Sequence, residues 1–337
     1  MMELNSLPEV SAPLPWQADC WARFKQQLET EQLPHALLLA GPADTGKSRL
    51  ALALARMLLC AAPSSGLNCG HCHACELSAG GSHGDLCWLQ PEEKSRVIKI
   101  DQVRKVVAFS NQKASFGKRK VIVLSPADAM NANAANALLK SLEEPAADTY
   151  LILSCNRLHA LPATIRSRCQ IVKLAEPAAE TSLAWMDNLT GDRQQSAQLL
   201  AVAANRPILA ERLYREGSAE ELGALQLALS SLLSGRLSAA ELIPTLTNIE
   251  VAPFLGHLHT QLQGLIRSQG GAGLGSASGR AAFTLCDEIM GLQRAVAAGA
   301  NPNGQLLVEA LLTRCQRELG SGLQGGSMQG QQQGARE

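Results

Sequence analysis

Two stretches of the 337-residue chain carry side chains whose types and spacing could do chemistry. The first, LLLAGPADTGKSRL at residues 37–50, sets Gly41, Gly46, Lys47 and Ser48 in the pattern G-x-x-x-x-G-K-[ST]. Glycines so placed let backbone amides wrap phosphates, while Lys47 would neutralise the β and γ phosphates and Ser48 would ligate Mg²⁺. The second, CAAPSSGLNCGHCHACE, sets Cys60 eight residues before the C-x₂-C-x₂-C run of Cys69, Cys72 and Cys75. Two overlapping C-x-x-C turns aim three thiolates at one point, and Cys60 can close a tetrahedron that suits a structural Zn²⁺. His71 and His73 are alternative ligands, but a four-Cys shell needs neither, so both are expected to face solvent. The alternative, four reduced thiols without metal, is disfavoured because unpaired thiols so close in sequence would be oxidation-prone. Cys20, Cys87, Cys155, Cys169, Cys286 and Cys315 are scattered and read as small buried or half-buried residues.

A working ATPase with this loop also needs an acid at the end of a neighbouring strand to hold Mg²⁺ and a second to orient water. The neighbouring strand is KVIVL, and Ser125 and Pro126 follow it. Neither can carry a negative charge. Asp128 stands three residues beyond Ser125 and reads as a residue of a helix start rather than a metal ligand. The pattern predicts nucleotide binding without efficient hydrolysis.

The elements that must position these residues alternate as strands and crossover helices in the first half. HALLLAG, KRKVIVLS and TYLILSC are short apolar runs with strand character, which predicts a doubly wound parallel sheet. KSRLALALARMLLC and NANAANALLKSLEEP have helix-forming composition, the second with an Asn-rich start and a terminating Pro145. From about Pro177 the text is helical throughout, broken at Gly217 and Ser218. SQGGAGLGSASGR reads as a flexible loop, and the polar end as disordered. Formal net charge is zero, so any nucleic-acid contact must come from a local patch. NQKASFGKRKV offers one in Lys113, Lys118, Arg119 and Lys120, although a solvated loop explains it equally. The start of the chain has no apolar core, and the run at residues 50–62 is too short for a bilayer and interrupted by Arg56, which predicts a cytoplasmic protein.

Taken in order, the phosphate loop, the cysteine run, IKIDQVRKV at 98–106, NALLKSLEEP at 136–145 and LPATIRSRCQIV at 161–172 resemble the bacterial DNA polymerase III clamp-loader subunits of the AAA+ class. Within that family the ATPase subunits keep the acids missing at Ser125 and Pro126, so the resemblance points to a branch without hydrolysis. It implies an α/β AAA+ P-loop domain over 1–175, a parallel sheet flanked by helices with a zinc knuckle at 60–75. An all-α lid over 176–216, an all-α collar for oligomerisation over 217–318 and a disordered tail over 319–337 would follow.

The same resemblance assigns Arg168, in SRC, as an arginine finger reaching in trans to the γ-phosphate on an adjacent subunit. Asn156 falls where the family has a polar γ-phosphate sensor, and Arg206 is either a second sensor or a solvated side chain. The implied cofactors are structural Zn²⁺ and ATP or ADP with Mg²⁺. The implied partners are the motor (gamma/tau) subunits, the delta subunit, the sliding clamp indirectly and primer–template DNA. The chain would be a replisome-associated stator of a polymerase holoenzyme without polymerising nucleotides itself. The rival readings are an active AAA+ ATPase, either a motor subunit or a DNA-repair protein, and a zinc-dependent protein adaptor that uses no nucleotide.

Overall fold

Five strands form one parallel sheet in the order β2–β3–β4–β1–β5: β1 (Ala36–Ala40), β2 (Leu86–Leu89), β3 (Lys120–Leu124), β4 (Thr149–Cys155) and β5 (Gln170–Lys173). The structure, a computed structural model, describes residues 8–92, 95–246, 250–268, 271–297 and 300–323. Between the strands run α2 (Lys47–Leu59), α3 (His73–Ala79), α4 (Ile100–Ser110), α5 (Ala132–Glu143) and α6 (Ala163–Arg166), with α1 (Ala18–Glu29) ahead of β1. After β5 come α7 (Ala179–Thr190), α8 (Arg193–Val202) and α9 (Pro207–Glu216). The chain divides into two compact units, residues 1–216 and 217–337.

The sheet is buried on both faces, which is why its central strands read as unbroken apolar runs rather than alternating ones. Successive side chains still point to opposite faces. Leu38, Ile122, Leu151 and Leu153 pack with Val103, Val106, Leu138 and Leu142 of α4 and α5. Leu37, Leu39, Val121, Val123 and Ile152 pack on the other face with Leu50 and Leu54 of α2 and with Trp21 and Phe24 of α1. Helix starts follow local chemistry: the Asn131 side chain accepts from the Ala134 amide at 2.8 Å to open α5, and the Asp192 carboxylate caps α8. Because every strand is parallel, the loops after β1, β3 and β4 emerge at one edge.

The described elements after residue 217 are all helices: α10 (Ala219–Leu233), α11 (Ala239–Leu242), α12 (Val251–Ser268), α13 (Gly271–Leu274), α14 (Ala277–Ala297) and α15 (Gly304–Leu323). Leu229, Leu232, Leu255, Leu258, Leu285, Ile289, Leu312 and Cys315 make their common core. No described helix is long and apolar enough to cross a membrane.

Four expectations need correction. The described part of the Gly/Ser stretch expected as a loop, from 271 to 280, is helical instead: α13 lies inside it, and the Ser276 hydroxyl accepts from the Gly279 amide at 3.0 Å to cap α14. Serine there is a capping residue, not a mark of flexibility. Disorder does not begin at 319, because Leu319 is a buried residue of α15, which continues to Leu323; the rest of that expected tail, 324–337, lies outside the described residues. Lys120 does not belong to a solvent-facing basic patch. It opens β3, is buried, and spends its ammonium on the carbonyls of Phe109 (2.7 Å) and Gln112 (3.0 Å) and on the Phe109 ring. The sheet also has a strand, β2, that sequence patterning did not single out; its apolar run, LCWL, is only four residues long, and at the sheet edge only Leu89 of it is fully buried.

All four tryptophans fall before residue 217, so their fluorescence reports the sheet-containing unit. Leu153→Ala, at a fully buried position of β4, should lower that unit's stability by about 2–5 kcal/mol in urea titrations. An unchanged midpoint would mean the core is not packed as described.

Candidate functional site

The phosphate loop joins β1 to α2 through two backbone constraints. A Cβ on Gly41 would stand 2.4 Å from the Leu174 carbonyl oxygen beside β5, so only glycine lets the chain pass. Gly46 has φ +85°, and a Cβ there would meet Leu14 Cδ1 at 2.2 Å. It ends the loop in the left-handed region, and α2 begins at Lys47. A 13-residue helix starting here presents free amides and the positive end of its dipole to an anion. Lys47 is 5 % exposed, and burial holds its ammonium below the usual lysine range, opposed by the charges of Asp128 and Asp44. Its Nζ donates to the Pro42 carbonyl of its own loop, which also accepts from Thr45 Oγ1 at 2.9 Å.

The end of β3 comes directly against this loop. Ser125 Oγ lies 2.8 Å from Ser48 Oγ and accepts from Ser154 Oγ at 2.7 Å. A chain of three hydroxyls therefore runs from Ser48 to β4, and among the described residues no carboxylate hydrogen-bonds Ser48. Asp128 sits in a three-residue 3-10 turn, Ala127–Ala129, and makes no hydrogen bond to Ser48 among the described residues. Its carboxylate accepts from the Asn156 amide at 3.0 Å and pairs with Arg157 at 3.6 Å. Asn156 itself follows β4 at the same sheet edge with its side chain exposed.

Helices α7–α9 approach the loop from the other side. Asp44 pairs with Arg212 of α9 at 3.8 Å, and its carbonyl accepts from the Ile208 amide at 3.3 Å. Arg49 of α2 meets the buried Glu211 carboxylate, which also holds Arg215 at 2.7 Å. Trp16 and Trp185 stack edge to face with centroids 5.5 Å apart. Arg206, half-buried just ahead of α9, makes no side-chain hydrogen bond or ion pair among the described residues.

Arg168 lies between α6 and β5, its side chain one-third exposed. Its Nη1 donates to the Thr164 carbonyl at 2.9 Å, and Nη2 pairs with the Glu143 carboxylate at the end of α5. The guanidinium is thus held from two sides at the surface. Lys113, Lys118 and Arg119 lie on the loop before β3, the first two exposed and the third half-buried.

The sulfur atoms of Cys60, Cys69, Cys72 and Cys75 all lie within 4.8 Å of one another. Cys60 follows the last residue of α2, and Cys75 is in the first turn of α3. The Cys69 amide donates to Cys60 Sγ at 3.3 Å, and Asn68 Nδ2 donates to Cys75 Sγ at 3.4 Å, contacts that favour thiolates. These donors and this spacing fit a metal ion. His71 and His73 are exposed and outside the cluster. Without a cation, burial pushes the Cys60 thiol up to about 12, so binding a metal must displace protons.

Comparison with known proteins bears on what this assembly is. A family model described as "DNA polymerase III, delta subunit" matches residues 16–178. The DNA polymerase III subunit delta' of Pseudomonas aeruginosa is 37 % identical over 318 residues, covering 89 % of this chain and 96 % of that one. The chain belongs to the delta' family. The delta' subunit of Escherichia coli K12 is 34 % identical over 202 residues, 60 % of each chain. A solved gamma subunit-related protein of Thermotoga maritima covers 88 % of this chain and 99 % of its own at 21 % identity, with a TM-score of 0.47.

In this delta' family member the fold brings together Gly41, Gly46, Lys47 and Ser48 with Ser125, and gathers all four cysteines. It leaves Arg168 and Asn156 at the surface. Leu14, Trp16, Gln17, Glu143, Ser154 and Glu211 complete these places; Glu143 and Ser154 lie inside the runs NALLKSLEEP and TYLILSC, but the sequence gives none of the six its role, because each acts across a long stretch of sequence.

Cobalt(II) titration of the reduced protein should give the strong absorption of thiolate ligation, with one ion per chain, and Cys72→Ser should weaken it severely. Affinity should fall as pH drops, since protons compete for the sulfurs. Equal uptake by the Cys72→Ser protein would exclude the four-sulfur shell.

Proposed function

We propose that the chain is a non-hydrolysing stator of the DNA polymerase III clamp loader. It assembles with the motor subunits and the delta subunit so that the sliding clamp is placed on primed DNA. The observation that carries this reading is the Ser48–Ser125 hydroxyl contact, which fills the place where an ATPase needs a Mg²⁺-holding acid. A serine can hydrogen-bond there but cannot hold a divalent ion by charge. ATP or ADP, with or without Mg²⁺, would then be a structural ligand on Gly41, Gly46, Lys47 and Ser48, with Asn156 beside it as a polar sensor. Zn²⁺ on the four cysteines supplies a closed, structural shell with no open position for catalysis.

Arg168 is the residue this chain would give to a neighbour's reaction. Its surface position, with the guanidinium already oriented by Thr164 and Glu143, suits a finger whose charge stabilises the transition state on a bound ATP of the adjacent subunit. The helical segment 176–216 serves as the lid and 217–318 as the collar. Exposed Leu227 and Leu306, 72 % and 64 % exposed, fit a collar that packs against other subunits. Lys113, Lys118 and Arg119 are available to phosphates of primer–template DNA, without base readout.

A fluorescent ATP analogue should bind the isolated protein and lose binding in Lys47→Ala, with no phosphate release from either. Removing Mg²⁺ should change affinity little, because Ser125 cannot help hold the ion. Steady turnover abolished by Lys47→Ala would make the chain a motor ATPase. In the reconstituted loader, Arg168→Ala should leave assembly intact and slow hydrolysis at the adjacent site by on the order of 10³-fold. Unchanged hydrolysis would remove the finger assignment.

A further inference from the structure

The cysteine cluster and the phosphate loop are bridged by a segment that neither assignment uses, residues 8–17. At one end, buried Asn68 accepts the Ser11 amide at 2.9 Å on Oδ1, and its Nδ2 donates to the Glu9 carbonyl at 2.8 Å and to Cys75 Sγ. Arg56, fully buried one turn before Cys60, donates to the Pro8 carbonyl at 2.6 Å and Ser11 Oγ at 2.8 Å. It also donates at 3.2 Å to the Ser78 carbonyl of α3, the helix that carries Cys75. At the other end, Trp16 Nε1 donates to the Thr45 carbonyl at 2.9 Å. Gln17 Nε2 donates to the carbonyls of Thr45 at 3.3 Å and Gly46 at 3.1 Å, and Gln17 Oε1 accepts the Leu14 amide at 3.0 Å. Leu14 fills the space over Gly46 that a side chain there would need.

We propose that the metal–thiolate centre sets the conformation of the phosphate loop through this strap, with Asn68 and Arg56 as the positioning residues that carry the coupling. Four thiolates around a divalent cation leave a net negative charge. That charge stabilises the buried guanidinium of Arg56 and strengthens the Asn68 hydrogen bond to Cys75 Sγ. Both residues then fix the strap by its backbone at Pro8, Glu9 and Ser11. Prolines at 13 and 15 stiffen the run into Trp16 and Gln17, which brace the loop carbonyls. Helix α2 gives the coupling a second, rigid rail, since it starts in the loop and ends at Cys60.

The inference rests on the metal reading of the four cysteines but not on nucleotide occupancy, so it is tested without nucleotide. Hydrogen–deuterium exchange would be followed in the full-length protein in its zinc-loaded and chelator-stripped forms, with metal content measured for each. Stripping should speed exchange in residues 8–17 and 41–50 by roughly tenfold or more, as expected when buried hydrogen bonds open. Helices α12 and α14 of the other unit should be unaffected. Asn68→Ala keeps all four sulfurs; it should retain one zinc per chain and still loosen both segments. Arg56→Lys, which keeps the charge and loses the fork, should loosen the strap by a smaller factor. The proposal is overturned by a stripped protein with unchanged strap or loop exchange, by loosening that spreads equally to α12 and α14, or by an Asn68→Ala strap as protected as the native one. A native chain that takes up no metal overturns it together with the metal reading, and the metal analysis identifies that case.

Discussion

A parallel sheet buried on both faces leaves its carboxyl-terminal edge as the place where loops from non-adjacent stretches can meet a ligand. In this protein that restriction puts the loop after β1, Ser125 after β3 and Asn156 after β4 along one line. Strand order matters as much as strand direction. β1 lies between β4 and β5, so the phosphate loop is flanked by the end of β4, where Gly41 donates its amide to the Cys155 carbonyl at 3.2 Å, and by Leu174 after β5. Its two glycines follow from that crowding. Side chains at 41 and 46 would have to occupy space already taken by a backbone carbonyl and by Leu14.

Charge at this edge suits the proposed binding of an anion rather than its cleavage. Lys47 is buried at the start of α2, and the acids that act on it are engaged elsewhere, Asp128 with Asn156 and Arg157, Asp44 with Arg212. The hydroxyls of Ser48, Ser125 and Ser154 satisfy one another without adding negative charge. An ammonium with no direct ion pair among the described residues, together with helix amides, attracts phosphate. Holding Mg²⁺ and orienting a water needs carboxylates, and among the described residues none hydrogen-bonds Ser48.

The other two functional features lie away from that line and are stabilised differently. Arg168 depends on a single ion pair and a carbonyl at the surface, an arrangement that a stronger anion can displace at modest cost. The cysteine cluster depends on the geometry of a helix end and a knuckle, and its hydrogen-bond donors come from backbone and from Asn68. Glu211, buried and shared between Arg49 and Arg215, holds the helices after the sheet against α2.

The sequence by itself determined whatever is encoded within about one element's length. G-x-x-x-x-G-K-S between a strand and a helix, C-x₈-C-x₂-C-x₂-C, and the absence of acids after KVIVL were legible because backbone turns and ligand bite depend on neighbours in the chain. Apolar runs likewise marked β1, β3 and β4, since strands buried on both faces must be apolar throughout. Edge strand β2 escaped notice because its run, LCWL, is only four residues long, and the Gly/Ser stretch misled because serine caps helices as readily as it loosens loops. Only the tertiary structure decided that Lys120 is buried, that Ser154 completes a hydroxyl chain, that Glu143 holds Arg168, and that residues 8–17 touch both the cysteines and the phosphate loop. Contacts of this kind join residues up to 59 positions apart in the strap, and 162 for Arg49 and Glu211, and such pairings follow from strand order and helix packing rather than from any local pattern.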